Sequence, residues 1–391
     1  MAVDLNYSPR QQALRAEIRD WLARHVPREP LPSFDTAHGF EAHRRWEATL
    51  HSGRWSMVTW PQEFGGRGLD LIEWLIFEEE YYRADAPGRV NQNGVFLFGP
   101  TLMEYGTPEQ KARFLPRLAS GQDIWAQVWS EPQAGSDLAA LRTTAIRDGD
   151  DYVINGHKIW STRAVFADWG FGLFRTDSQS ERHRGLSYIV LPLDTPGVTV
   201  RGIPQLDGES GFAEIFFDNA RVPVANRIGD EGQGWSIAMA TAGFERGLML
   251  RSPARFQRTA QRLVNLFRRH ADHVDPGVAA TVTQCWMDAE AYALATYMTA
   301  SRLIAGGSIG AEASLNKIFW SELDLAMHRA ALSILGARAE LRAVGGSQGV
   351  ADEATRWMDG FLFSLAGPIY AGANEIQRNI IAERVLGMPK G

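Results

Sequence analysis

Cysteine, lysine and long apolar runs are all scarce in this chain of 391 residues. Its one cysteine, Cys285, excludes an internal disulfide, and its place in an apolar helical pattern beside Trp286, Met287 and Tyr292 points to a reducing, cytoplasmic setting. Lysine occurs only at 111, 158, 317 and 390, so the basic charge is almost all arginine, and 46 acidic residues outnumber 40 basic ones. The net charge of −6 excludes whole-molecule attraction to nucleic acid or an anionic membrane, so an anionic ligand has to be held locally. No uncharged segment reaches the roughly 18 apolar residues of a membrane span. The opening Met1-Ala2-Val3-Asp4 lacks the basic-then-apolar order of a secretory leader. There is no Gly-x-Gly-x-x-Gly turn after a strand and no P-loop. His38, His43, His270 and His273 lack convergent carboxylate or cysteine ligands; they read as solvated histidines, and no metal is expected.

What is present is an ordinary globular composition, 45% apolar and 22% charged, in a chain long enough for two or three domains. The first third reads as helix. Ser8 with Gln11 forms a capping-box pattern, Pro9 suits the first helical position, and Leu14, Ile18, Trp21 and Leu22 recur on one face. A second start, Gly106-Thr107-Pro108-Glu109-Gln110, opens a helix toward Leu118, and Gly121 closes the segment. Beyond about 125 the period shortens to β-type runs. Tyr152-Val153-Ile154 and His157-Lys158-Ile159-Trp160 flank Asn155-Gly156, a pair that favours a type I′ hairpin turn. After the glycine-rich 229–234 the helical period returns and persists. The last helix is expected from about Asn374, capped by that residue, with Ile376, Ile380 and Ile381 inward and a stop at Gly387. The expected fold class is α+β, with an N-terminal helical domain over 1–124, a small β barrel or sandwich over 125–230 and a helical bundle over 231–391.

Two short motifs are discounted. Gly345-Gly346-Ser347-Gln348-Gly349 imitates a hydrolase nucleophile elbow, but no histidine follows His328 to complete a triad. Ser314-Leu315-Asn316-Lys317 imitates the Ser-x-x-Lys of penicillin-binding proteins, but no Lys-Thr-Gly exists, so it reads as one turn of helix.

Two longer segments carry more. Trp129-Ser130-Glu131-Pro132-Gln133-Ala134-Gly135-Ser136-Asp137 and Asn155-Gly156-His157-Lys158-Ile159-Trp160-Ser161-Thr162 resemble signature segments of the acyl-CoA dehydrogenase family. The resemblance extends over nearly the whole chain, through Trp60-Pro61-Gln62-Glu63-Phe64-Gly65-Gly66, Phe216-Phe217-Asp218-Asn219-Ala220-Arg221-Val222-Pro223 and Ile369-Tyr370-Ala371-Gly372-Ala373-Asn374-Glu375-Ile376-Gln377-Arg378. It implies FAD as cofactor, contacted by Trp129, Ser130, Gly135, Ser136, Trp160, Ser161, Thr162, Gly372, Ala373, Asn374 and Glu375. Small and hydroxyl-bearing residues suit close approach to an extended ligand, the Trp160 indole suits the isoalloxazine ring, and the Thr162 hydroxyl suits its N5 edge. Ser136, Phe244, Arg246 and Tyr370 fall on the implied substrate side.

The resemblance also implies how carbon is oxidised. The backbone N–H of Ala371 matches the family's donor to a thioester carbonyl. The family's usual catalytic glutamate would stand at this same position, where this chain has alanine. In members resembling isovaleryl-CoA and long-chain acyl-CoA dehydrogenases the base comes from a Glu-Arg pair on an earlier helix, and Phe244-Glu245-Arg246 matches it, making Glu245 the catalytic candidate. Two segments depart from the family: Arg255-Phe256-Gln257 stands for its Arg-x-x-Phe-Gly and Ser333-Ile334-Leu335-Gly336-Ala337 for its Gln-x-x-Gly-Gly, so contacts to the ADP half of the flavin are not carried over. The expected activity is α,β-dehydrogenation of an acyl-CoA to its trans-2-enoyl-CoA in acyl-CoA catabolism, with electrons passed to an electron-transfer flavoprotein or similar acceptor. A homo-oligomer, dimer or tetramer, is expected. The alternative is a half-site partner completing the flavin site of a paralogous dehydrogenase subunit.

Overall fold

The structure, a computed structural model, describes residues 6–246, 251–311, 313–341 and 352–389. Helices α1 (Pro9–His25), α2 (Ala37–Ser52), α3 (Leu71–Arg83), α4 (Gly99–Tyr105) and α5 (Pro108–Ala119) come first. Strands β1 (Trp125–Val128), β2 (Thr144–Asp148), β3 (Asp151–Thr162), β4 (Trp169–Arg175), β5 (Leu186–Pro192), β6 (Val198–Ile203), β7 (Phe212–Pro223) and β8 (Arg227–Ile228) follow. Helices α6 (Gly234–Arg246), α7 (Pro253–His270), α8 (Gly277–Ile304), α9 (Ala313–Leu335), α10 (Glu353–Ser364) and α11 (Asn374–Ile380) complete the chain. In chain order the architecture is helical, then β, then helical. The Gly345 to Gly349 motif lies outside the described residues. No helix among the described residues is long and apolar enough to cross a membrane.

The helix starts follow their caps. Ser8 and Gln11 bond reciprocally at the head of α1, as do Thr107 and Gln110 at α5, each satisfying backbone N–H groups that have no intrahelical acceptor. Leu14, Ile18 and Leu22 form the buried face of α1.

By packing the chain falls into two units, one of Met1–Pro30, Gly68–Pro87 and Arg246–Gly391, the other of Leu31–Arg67 and Gly88–Glu245. In the first, α7, α8 and α9 enclose Phe256, Leu263, Leu266, Tyr292, Trp320 and Met327. In the second, one sheet runs in the order β6-β7-β3-β2-β4-β5-β8, with β1 parallel to β4. One face of the sheet buries Tyr152, Ile154, Phe174, Ile189 and Ile215. Phe98 stacks on Trp125 with centroids 4.2 Å apart, and Trp125 on Trp169 at 5.2 Å, seating the π-helical turn before α4 on β1 and β4.

Asn155-Gly156 makes no hairpin turn. β3 runs through it, and the register against β7 slips there: Ile154 pairs with Ala220 but Gly156 with Phe217, so the extra residue lies in β7, where Asn219 takes φ +51°, and the glycine stands opposite that bulge. Its φ is +146°, and a Cβ would come 2.5 Å from Thr143 Oγ1. The turn lies at Gly149-Asp150 instead, where Asp148 pairs with Asp151 and Gly149 has φ +63°. Glycine supplies positive φ to bulges and turns alike, which is why the pair misleads. His43 is buried, not solvated: its Nδ1 lies 2.7 Å from Gly88 O and its Nε2 3.1 Å from Pro32 O, and burial pushes its pKa down.

Candidate active site

The residues singled out from the sequence fall in both units.

In the sheet-bearing unit, β1 delivers the chain to Trp129, after which the 129–137 segment folds back on β3. Ile159 N–H donates to Ser130 O at 2.9 Å. Lys158, wholly buried, donates from Nζ to Trp129 O at 3.0 Å and Leu173 O at 2.8 Å, and pairs with Glu131 at 2.9 Å. Glu131 also accepts from the N–H groups of Arg142 at 2.7 Å and Thr143 at 2.9 Å. Burial favours the neutral form of Glu131, but the Lys158 ammonium and these donors outweigh it and hold the carboxyl at about 2. Burial pushes the Lys158 pKa down to about 8 against the pull of Glu131. Both groups are therefore charged at neutral pH, a closed pair that locks the two signature segments together.

Two residues beyond Lys158 the strand bulges. The β3–β7 register slips between Lys158 and Ser161, and Trp160 takes φ +63° with its indole 57% exposed, touching Phe212 edge-on at 6.2 Å. A left-handed tryptophan costs about 1–2 kcal/mol, and lifting its ring into solvent forgoes burial. A core-filling residue gains nothing from either, whereas a platform for a planar ligand requires both. Beside it, Ser161 Oγ and Trp129 Nε1 are buried with no hydrogen-bond partner among the described residues. Thr162 is half-buried next in the strand, and Ser136 and Gly135 are exposed, with nothing within 4 Å of a Cβ placed at Gly135. An exposed indole, adjacent hydroxyls, an unmatched donor and open space fit an extended aromatic cofactor with polar edges, as a flavin is.

In the other unit, a turn after α10 carries Tyr370, Ala371 at φ +55° and Gly372 at φ +85° into α11. Among the described residues no acceptor pairs with the Ala371 backbone N–H. Gln377, fully buried, donates from Nε2 to Gly372 O at 3.3 Å, and a Cβ at 372 would meet that nitrogen at 2.3 Å. Asn374 does not cap α11: the N-cap is Ala373, with no side-chain bond. The Asn374 side chain turns inward to Lys317 and Ser321. Hence the inward face of α11 is Asn374 and Gln377, while Ile376 is 38% exposed and Glu375 is exposed. Arg255 donates to Asp324 Oδ2 at 2.9 Å. Phe244, Glu245 and Arg246 form the last turn of α6, and their side chains lie outside the described residues.

The sequence reading gave no role to Lys158, Glu131 or Lys317. A signal existed for the first: by strand alternation from Tyr152 and Ile154, Lys158 falls on the inward face.

Models of three acyl-CoA dehydrogenase domains match this chain in order: the N-terminal domain over 8–122, the middle domain over 126–220 and the C-terminal domain over 232–386. It is 41% identical over 389 residues to the acyl-CoA dehydrogenase IpdE1 of Mycobacterium tuberculosis, across 97% of this chain and 98% of that one. To IpdE1 of Mycolicibacterium smegmatis it is 40% identical, with the same shares covered. Among solved structures, the Tcur3481-Tcur3483 steroid ACAD superposes with a TM-score of 0.85 at 30% identity over 100% of both chains. The ChsE4-ChsE5 complex from Mycobacterium tuberculosis superposes at 0.82 with 32% identity, again over 100% of both.

Proposed function

The chain belongs to the acyl-CoA dehydrogenase family, and from that premise we propose that it oxidises an acyl-CoA to the trans-2-enoyl-CoA with FAD as cofactor. The observation that carries this reading is the ordered match of all three domain models from residue 8 to residue 386, which also supports domain divisions near 124 and 230. When bound, the flavin supplies a two-electron acceptor for the β hydride. The residues we propose to hold it are Trp129, Ser130, Gly135, Ser136, Trp160, Ser161, Thr162 and residues 372–375. Glu245 removes the α proton, and the Ala371 N–H, which has no acceptor among the described residues, stabilises negative charge on the thioester oxygen. Phe244, Arg246, Ser136 and Tyr370 line the substrate.

The similarity to a steroid ACAD supports an acyl group that bears a ring system. Two of the similar structures are each described as a pair of proteins, which supports assembly with a second dehydrogenase subunit over the self-assembly expected from the sequence. An electron-transfer flavoprotein is the fitting acceptor. The test is anaerobic bleaching of the flavin absorbance by a panel of straight-chain, branched and ring-bearing acyl-CoAs, with the chain alone and co-expressed with a paralogous subunit. Bleaching by one acyl class supports the reading. A flavin-loaded protein that no acyl-CoA reduces in either state sinks it.

A further inference from the structure

The discounted Ser314 to Lys317 turn has a second use. Along α9 the residues Ser314, Lys317, Ser321, Asp324 and His328 recur at intervals of three and four, and all five are buried. A helix that buries a polar stripe has to satisfy it, because an unpaired buried polar group or charge is costly. Lys317 Nζ donates to Gly367 O at 2.7 Å and to Asn374 Oδ1 at 2.9 Å. One turn along, Ser321 Oγ accepts from Asn374 Nδ2 at 3.1 Å. Asn374 Nδ2 also lies 3.4 Å from Glu322 Oε1, and Glu322 pairs with Arg378 of α11 at 2.5 Å.

Gly367 and Asn374 are the two ends of the turn that carries Tyr370, Ala371 and Gly372. Its backbone is closed by Asn374 N–H donating to Pro368 O at 2.8 Å and Tyr370 N–H donating to Ala366 O at 3.0 Å. Ala371 has a Cβ and yet stands at φ +55°, a conformation that persists only where the surroundings over-determine it. A single ammonium gripping both ends of an eight-residue turn does this, since its charge-assisted bonds are stronger than neutral ones and its burial excludes competing water.

We propose that Lys317 is a positioning residue: through Gly367 O and Asn374 Oδ1 it clamps the 367–374 turn and so fixes the Ala371 N–H for the thioester carbonyl. The thioester role of Ala371 rests on the function proposed above, whereas the clamp does not.

The test uses the full-length protein, with its partner subunit if one is needed for stability. Lys317→Met keeps the unbranched stem as far as Cε and removes the donors; Lys317→Gln keeps a shorter amide donor and protects against a methionine variant that does not fold. Hydrogen exchange of residues 367–374 reads the clamp without any ligand. The infrared carbonyl band of carbonyl-labelled butyryl-, palmitoyl- and ring-bearing cyclohexylpropionyl-CoA, each used where it binds the wild type, reads polarisation of the bound thioester. Exchange in the turn should rise about tenfold or more in Lys317→Met and less in Lys317→Gln, with α7 and α8 unchanged, and the downshift of the carbonyl band seen in the wild type should shrink in the same order. Exchange unchanged in both variants overturns the clamp. A looser turn in a protein whose wild type shifts no thioester carbonyl overturns the positioning role together with the thioester reading of Ala371. A full carbonyl shift retained on a loosened turn overturns the positioning role and leaves that reading standing.

Discussion

Glu245 is the residue on which the proposed chemistry turns, because the α C–H of a thioester is a weak acid and the step needs a carboxylate within reach. Glu245→Gln keeps the size but cannot accept the proton, so anaerobic flavin reduction by the preferred acyl-CoA should slow by roughly 10²–10⁴ while flavin content persists. Adding Ala371→Glu in that variant should restore part of the rate. Wild-type reduction kinetics in Glu245→Gln would remove the assignment. Lys158 and Glu131 answer to a different measurement. Glu131 titrates at about 2 in the fold against 4.5 ordinarily, a difference of roughly 3 kcal/mol. A lowered carboxyl pKa gives stability that is complete above about 4.5 and is lost as pH falls toward 2. Lys158, lowered from 10.5 to about 8, acts in the alkaline range only, its burial cost easing as the pH rises between those values. Urea unfolding followed from neutral pH to pH 2 should therefore show a larger acid loss in the wild type than in Glu131→Gln/Lys158→Met, where only the other lowered carboxyls, such as Asp85, remain to titrate. Lys158→Met alone, leaving a carboxylate buried without its ammonium, should cost about 3–5 kcal/mol and more than the double variant. An acid limb identical in the wild type and the double variant would show that Glu131 is not its source.

At the level of elements, helices were more legible in the sequence than strands. The starts of α1 and α5 are read from Ser8, Gln11, Thr107 and Gln110, since a cap is a local hydrogen-bond pattern that requires nothing from the rest of the chain. The register slip at Gly156 is not legible, because whether a glycine turns the chain or continues a strand depends on the strand beside it, here β7 with its extra residue at 218–219. The same distinction predicts unequal costs for two alanine substitutions. Gly156→Ala meets both a strained φ of +146° and Thr143 Oγ1 at 2.5 Å, and should cost about 2–4 kcal/mol. Gly149→Ala, at φ +63° with nothing within 4 Å of the new Cβ, meets only the conformational term and should cost about 1 kcal/mol. Denaturant midpoints decide the matter, and equal losses would mean the bulge tolerates the methyl. The candidate site divides along the same line. Trp160, Ser161 and Thr162 are legible as candidates because they fall in a segment that resembles a family signature. The left-handed Trp160 and the Lys317 clamp were not, because one follows from a register slip and the other joins residues 50 and 57 positions apart.

For the whole molecule, α8 poses a question that its own unit does not answer. Val282, Cys285, Ala289, Tyr292 and Thr296 face the core of α7 and α9, as one helix stripe should. On the other side Met287, Leu294 and Met298 are 52%, 61% and 71% exposed, spaced seven and four residues apart, with Trp286 at 44% beside them. An apolar stripe in addition to a complete core face marks a protein contact. The occupant we predict is another acyl-CoA dehydrogenase subunit, in keeping with the assembly proposed above. Leu294→Glu with Met298→Glu places two charges in that contact, where desolvation without a counter-charge is strongly unfavourable. The variant should elute with the mass of a single folded subunit, while the wild type forms a dimer or larger species alone or with a co-expressed paralogue. Light scattering of each at micromolar concentration separates self-assembly from pairing, since only pairing requires the second gene. If the wild type remains a compact monomer with every paralogue supplied, the stripe is not an interface.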